Sequence, residues 1–166
     1  AQGIKTLTAD LQVAKPTSML VVPRVWEQVY NAASQKAGHG AKGIAFAAAV
    51  VAAQNYMKEV STKGKAGTLT KARRAAFDPV VYASLREVLG GRAKWIVAGG
   101  APLDPELLAF FGGAGVPVYE GYGLTETTAP CAFNVLGVPY HQGSVGIAFP
   151  GFELRIAEDG EIQVKG

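Results

Sequence analysis

A single cysteine, Cys131, rules out an internal disulfide framework and fits a reducing compartment. Its neighbours in Ala129-Pro-Cys-Ala-Phe133 suit a small buried side chain rather than a nucleophile. Long hydrophobic runs are missing too. The longest, Ile44–Ala53, is about half of what a bilayer-spanning helix needs. At the start, Ala1–Leu11 places no charged region before an apolar one, so no signal peptide is visible. A strong excess of one charge is lacking: 16 basic against 13 acidic side chains leave a net +3, no nucleic-acid footprint by itself. No G-x-x-x-x-G-K-S/T loop occurs, which excludes one familiar phosphate cradle. The chain opens without methionine and stops on a strand just out of a turn, so it reads as a piece of something larger.

What is present is a chain of 166 residues, 49% hydrophobic, long enough to bury a real core. Thr8–Ala14 reads as a short helix ending before Pro16, and Thr17–Pro23 as a strand buried on both faces. Pro23 opens a helix in which Trp26, Tyr30, Ala33 and Ala37 recur at helical spacing, closed by Gly38 and Gly40. Phe46, Val50, Ala53, Met57 and Val60 form the apolar stripe of a longer one. Asp78-Pro79 predicts an N-cap and first helical position, with Val81, Leu85 and Val88 as the stripe that follows. Ala93–Gly100 is a buried strand. Asp104-Pro105-Glu106 caps a helix through Phe111, and Val116–Gly123 is a strand entering a glycine turn. This order implies an α/β fold, a mostly parallel sheet with crossover helices. After Pro130 the character changes. Phe152, Leu154 and Ile156, then Ile162 and Val164, alternate around Asp159-Gly160, predicting an antiparallel hairpin with a two-residue turn. Residues 1–130 thus read as an α/β subdomain, and 131–166 as the start of an antiparallel β subdomain.

The segment Lys58–Arg74 carries Lys58, Lys63, Lys65, Lys71, Arg73 and Arg74 against Glu59 alone, with Gly64 and Gly67 suggesting a mobile loop. It is a solvated basic loop in one reading. In the other it is a docking surface for an anionic partner, a membrane face or a phosphorylated carrier.

Ligands of open parallel sheets bind outside the carboxyl ends of strands. Two such exits are unusual here: Ala98–Glu106 (AGGAPLDPE) and Glu120–Thr127 (EGYGLTET). Tyr122 offers a ring for a base to stack on, while Gly121 and Gly123 bare the backbone. The Thr125 hydroxyl, near an expected helix start, suits a phosphate oxygen. Glu126 supplies a hard oxygen of the kind Mg²⁺ takes together with substrate phosphates. On spacing alone, a nucleotide site and a plain strand-turn-helix both remain open.

Tyr119–Ala129 (YEGYGLTETTA) resembles the signature of adenylate-forming enzymes: acyl-CoA synthetases, luciferases and peptide-synthetase adenylation domains. Gly99–Phe111 and Gly143–Gly166 are similar to the elements that precede and follow that signature, in the right order and spacing. Lys15–Ala37 and Phe77–Leu103 look like the long-chain fatty acyl-CoA synthetase branch, and the resemblance covers essentially the whole chain.

The resemblance implies a fatty acid–CoA ligase of two steps. ATP and the acid give an acyl-adenylate and pyrophosphate; the thiol of coenzyme A then displaces AMP to give a thioester. Carried over by position, Gly99, Gly100, Ala101 and Pro102 line the adenine and ribose side. Glu120, Gly121, Tyr122 and Gly123 hold the adenine, Thr125 contacts phosphate, and Glu126 binds Mg²⁺; Thr125 and Glu126 are the catalytic candidates. Val145 and Gly146 are candidates for the acyl-side wall. Trp26 borders the acyl tunnel in one reading and belongs to the core in the other. Phosphoryl transfer of this kind rests on positioning and electrostatics, so neither His39 nor His141 is required. The family's lysine-bearing phosphate loop and C-terminal lysine domain have no counterpart in these residues, and Lys165 lies in the hairpin. The 166 residues alone are therefore expected to be inactive. Cytoplasmic location, with peripheral membrane contact through Lys58–Arg74, is the expected setting. Two alternatives stand: another adenylate-forming acid activator, and a non-catalytic ATP- or AMP-binding module.

Overall fold

The computed structural model describes residues 6–134 and 143–166. In chain order the elements are α1 (Leu7–Ala14), β1 (Ser18–Val21), α2 (Pro23–Ala37), α3 (Ala41–Lys63), α4 (Thr68–Ala76) and α5 (Ala83–Val88). There follow β2 (Trp95–Ala98), α6 (Pro105–Gly113), β3 (Val118–Leu124), β4 (Ala129–Phe133), β5 (Ile147–Ala148), β6 (Glu153–Ile156) and β7 (Ile162–Lys165). Strands β1 to β5 form one sheet in sequence order, and β6–β7 a separate hairpin. β1–β2 and β2–β3 are parallel, as crossover helices require; β3–β4 and β4–β5 are antiparallel. The pairing sense changes inside β3, so residues on both sides of 130 share one sheet.

Ile96, Ala98 and Val118 lie on the sheet's core face, paired in register through Ile96↔Val118. Phe110 and Phe111 of α6 fill the space above them, with Trp26 4.7 Å from Phe111 and Tyr30 5.4 Å from Phe110, centroid to centroid. Each fully buried ring contributes roughly 2–3 kcal/mol of transfer free energy, so this cluster fixes α2 and α3 on α6 and α6 on the sheet. Tyr82 spans the helix layer, its hydroxyl donating to the Ala49 carbonyl at 2.6 Å.

Several local readings change. β1 is an outer strand, with Leu20 78% exposed, not a strand buried on both faces. An apolar run reports burial only when neighbours exist on both sides. The glycines at 64 and 67 do not make a long loop: α3 runs to Lys63, Gly64 caps it in the left-handed region, and α4 starts at Thr68. Asp78 is no N-cap. Residues 78–82 form a π-helical turn between α4 and α5, because Pro79 has no N–H to give and the ladder slips, Tyr82 N–H reaching Phe77 C=O at 3.3 Å. The Asp78 carboxylate instead takes both arms of Arg86, at 2.9 and 2.8 Å. The β6–β7 turn is longer than two residues: Ala157 N–H donates to Glu161 C=O at 2.9 Å around Asp159-Gly160. Gly38-His-Gly-Ala-Lys-Gly43 has G-x-G-x-x-G spacing, but it joins helix to helix and so is no dinucleotide fingerprint.

Candidate functional site

Parallel neighbours end at the same edge, so the exits of β2 and β3 emerge side by side. A side-chain carbon built on Gly99 would stand 3.5 Å from the Gly121 carbonyl oxygen, and Gly99 N–H donates to Val21 C=O at 3.2 Å. Gly100 takes φ +84° with open space around it, its nearest neighbour Val22 Cγ1 at 3.9 Å, so backbone conformation demands glycine there. Gly121 differs. A methyl there would meet the Phe133 ring at 3.2 Å and Val97 Cγ1 at 3.6 Å, so its bare Cα is filled by the sheet's own side chains. Ala101 and Pro102 are exposed, Leu103 turns into the core, and Asp104 caps α6 by accepting the Glu106 and Leu107 N–H groups at 2.9 Å each.

The glycine turn expected after Val118-Tyr119 is absent. β3 continues through Leu124, paired with β4, with a register irregularity between Tyr122 and Gly123. Tyr122 is half-buried, and Gly123, Thr125 and Glu126 are exposed. The helix expected from Thr125 is a single 3₁₀ turn of three residues. Pro130 disfavours helical backbone at Ala129, and Thr128 already sits at φ +62° with its N–H on Thr125 C=O, so the chain turns back as β4. Thr125 therefore offers a hydroxyl without a helix dipole behind it. Thr127 braces the turn, accepting the Leu124 N–H at 3.0 Å and donating to its carbonyl at 2.9 Å.

Glu120 follows Val118 on the core face and is 8% exposed, with Oε2 unpartnered. Burial pushes its pKa up, opposed by the Leu103 N–H. The Glu120 carboxyl is thus turned into the core, and its carbonyl accepts the Asn134 N–H at 3.1 Å. Among the described residues no three His, Cys, Asp or Glu side chains cluster as a metal cage. Glu126, a single exposed carboxylate, fits Mg²⁺ where phosphate oxygens complete the shell.

Val145 is exposed just before β5, and Gly146 (φ +88°) lies against β4, where a methyl would run into the Phe133 carbonyl and stand 2.5 Å from the Asn134 nitrogen. Trp26 is 1% exposed and packs on Phe111, so among the described residues it belongs to the core. His39 is exposed in the α2–α3 turn and Cys131 is buried; His141 lies outside the described residues. Arg74 leaves the basic segment: its Nε donates to Gly113 C=O at 2.6 Å and its guanidinium lies 5.3 Å from the Tyr56 ring centroid. The sequence reading did not single out Asn134, a buried amide linking β3 to the 143–146 loop; the polar residue closing the apolar run at 131–133 was its one signal.

Residues 2–166 match the family model described as AMP-binding enzyme. Over 98% of its length the chain is 46% identical to the long-chain-fatty-acid–CoA ligase FadD15 of Mycobacterium tuberculosis (strain ATCC 25618 / H37Rv), covering 27% of that protein. It is 30% identical to the long-chain-fatty-acid–CoA ligase 6 of Rattus norvegicus, again over 98% of this chain and covering 24% of that one. The fold matches the A-PCP didomain of carboxylic acid reductase from Segniliparus rugosus, solved in complex with AMP, at TM-score 0.54 and 23% identity, over 99% of this chain and 20% of that one. The chain spans about a quarter of the length of these curated relatives. With the family model matched from residue 2 to the last, this chain belongs to the AMP-binding enzymes.

Proposed function

We propose that the protein carrying this chain activates a long-chain fatty acid, forming an acyl-adenylate and pyrophosphate from ATP, then an acyl-CoA thioester with release of AMP. The observation that carries this reading is the meeting of the β2 and β3 exits at Gly99 and Gly121, with the half-buried Tyr122 beside them. Residues 99–102 and the main chain of 121–123, with the buried Glu120 behind them, form the adenine and ribose side. Tyr122 stacks on the base, Thr125 donates to phosphate, and Val145 and Gly146 face the acid. Bound Mg²⁺, held by Glu126 and phosphate oxygens, supplies neutralisation of phosphate charge. Coenzyme A is the thiol. The 166 residues alone hold one side of the site and do not adenylate. The lone buried Cys131 supports a cytoplasmic setting.

Acid-dependent pyrophosphate exchange by the full-length protein, run against a panel of acids, tests the reading. Preference for amino or aryl acids over long acyl chains refutes the substrate class. Tyr122→Ala should weaken ATP binding by roughly five- to 150-fold, from the ~1–3 kcal/mol of base stacking, and Glu126→Gln should slow adenylation. Unchanged kinetics in both removes these residues from the site.

The basic segment supports contact with an anionic membrane surface. Lys58, Lys63, Lys65, Lys71 and Arg73 are exposed around the α3–α4 turn beside Leu69, 64% exposed. The lone local acid, Glu59, is engaged by Gly67 N–H at 2.7 Å and Thr70 Oγ1 at 3.0 Å, which hold its pKa down. Five cations at roughly 1 kcal/mol each near anionic lipid suffice for reversible docking. Lys63→Glu with Lys71→Glu should abolish sedimentation with phosphatidylserine vesicles; undiminished sedimentation refutes it.

A further inference from the structure

We infer that Asn134 is a positioning residue which locks the acyl-side loop to the nucleotide strand; the inference rests on the adenylating reading above. Asn134 closes β4 and is 6% exposed. Its side-chain Nδ2 donates to the Ser144 carbonyl at 2.7 Å and to the Glu120 carbonyl at 3.4 Å, and its own N–H donates to that same Glu120 carbonyl at 3.1 Å. Two carbonyls converge on one amide nitrogen that carries two protons, which is a matched set. One carbonyl belongs to the strand whose next residues, 121–123, are the adenine side. The other belongs to the loop that carries Val145 and Gly146.

That loop has a second tie. Ser144 Oγ accepts the Gly146 N–H at 3.1 Å, while the Gly146 Cα lies against the Phe133–Asn134 backbone. The Asn134 side chain, nearly buried, thus sits where the two halves of the site meet, and a hydrogen bond there holds geometry more firmly than at the surface. The chemistry gives this register a purpose. An acid oxygen must meet the α-phosphorus in line, and a displacement of about 1 Å costs on the order of a hundredfold in rate.

No other small side chain meets these demands. Aspartate is isosteric, but when ionised it has no donor and points a carboxylate oxygen at two carbonyls. Alanine removes the amide and leaves the half-buried Ser144 carbonyl without its partner.

Asn134→Ala and Asn134→Asp in the full-length protein test the inference, with hydrogen exchange at Gly146 and separate kinetics for ATP and acid. The Glu120 carbonyl keeps the main-chain donor, so AMP affinity should stay within about twofold. Exchange at Gly146 should rise, and kcat/KM for the acid should fall about tenfold in Asn134→Ala, the equivalent of one hydrogen bond, and further in Asn134→Asp. Unchanged Gly146 exchange overturns the lock. Equal losses for ATP and acid with a lowered Tm overturn the positioning role in favour of a structural one. A wild-type protein inactive with every acid refutes the adenylating reading alone, and the lock is then judged by Gly146 exchange.

Discussion

Two adjacent glycines at the end of α6 give a sharp test of how the helix layer is packed. A methyl on Gly112 would first meet the Met57 side chain, at 3.1 Å from Cε and 3.2 Å from Sδ. Those atoms are the far end of a flexible chain that moves aside cheaply. A methyl on Gly113 would stand 2.5 Å from the Ala53 carbonyl carbon and 2.7 Å from its Cα, and closer still to its oxygen. Here the obstacle is the α3 backbone, and reaching ordinary contact needs a separation of about 1 Å between α3 and α6. The helical preference for alanine over glycine is worth up to ~1 kcal/mol at either position, less near a helix end. Overpacking costs ~1–3 kcal/mol where the neighbours must shift. Gly112→Ala should therefore be neutral or stabilising by up to ~0.5 kcal/mol, and Gly113→Ala destabilising by ~1–2 kcal/mol. Gly113→Ala also disturbs the Arg74 bond to the Gly113 carbonyl. Because Asp104, the cap of α6, directly follows the 99–103 loop, displacement of the helix should weaken nucleotide binding as well. Denaturant midpoints and AMP affinity of the two variants check this. Equal stability in both, or a stabilised Gly113→Ala, would refute the close backbone crossing on which the estimate rests.

Tyr82→Phe removes a buried hydroxyl from the Ala49 carbonyl and should cost ~1 kcal/mol by denaturant unfolding; burial pushes the phenol to about 12, so wild-type Tyr82 should stay protonated in ultraviolet titration to pH 11. The Arg86 guanidinium bonded to Asp78 holds that carboxyl below its usual range. Such a depressed group stabilises above its unfolded pKa and loses the contribution as pH falls through the folded value. The Tm gap between wild type and Asp78→Asn should accordingly be constant near neutrality and close below about pH 4. Glu120 has the opposite sign. Burial raises its pKa, so its contribution is full below the unfolded value near ~4.3 and is lost as pH rises through the folded value. Glu120→Gln should raise Tm relative to wild type at pH 7.5 and lose that advantage at pH 4, as a thermal scan at both pH values would show.

Sequence alone determined the features that one segment decides for itself: the Asp104 cap, the helical stripes of α2 and α3, the strand at 95–98, the alternation of the β6–β7 hairpin, and the motifs by which the family resemblance was read. Periodicity and capping are short-range, so they are written in neighbouring residues. Other features depended on what the fold brings alongside. Leu20 is exposed because β1 has a partner on one side only, and Asp78 abandons capping because Arg86, eight residues on along the same helical run, takes its carboxylate. β3 runs on past Gly121 because β4 returns to pair with it. Arg74 reads as one more cation of a basic segment, and nothing nearby in sequence marks Asn134 as a link, until tertiary contacts give them carbonyls from other segments. The site itself is of this second kind. Each exit loop is legible, but their meeting at Gly99 and Gly121 is decided by strand order and register, which hydrogen bonds between segments far apart in sequence enforce.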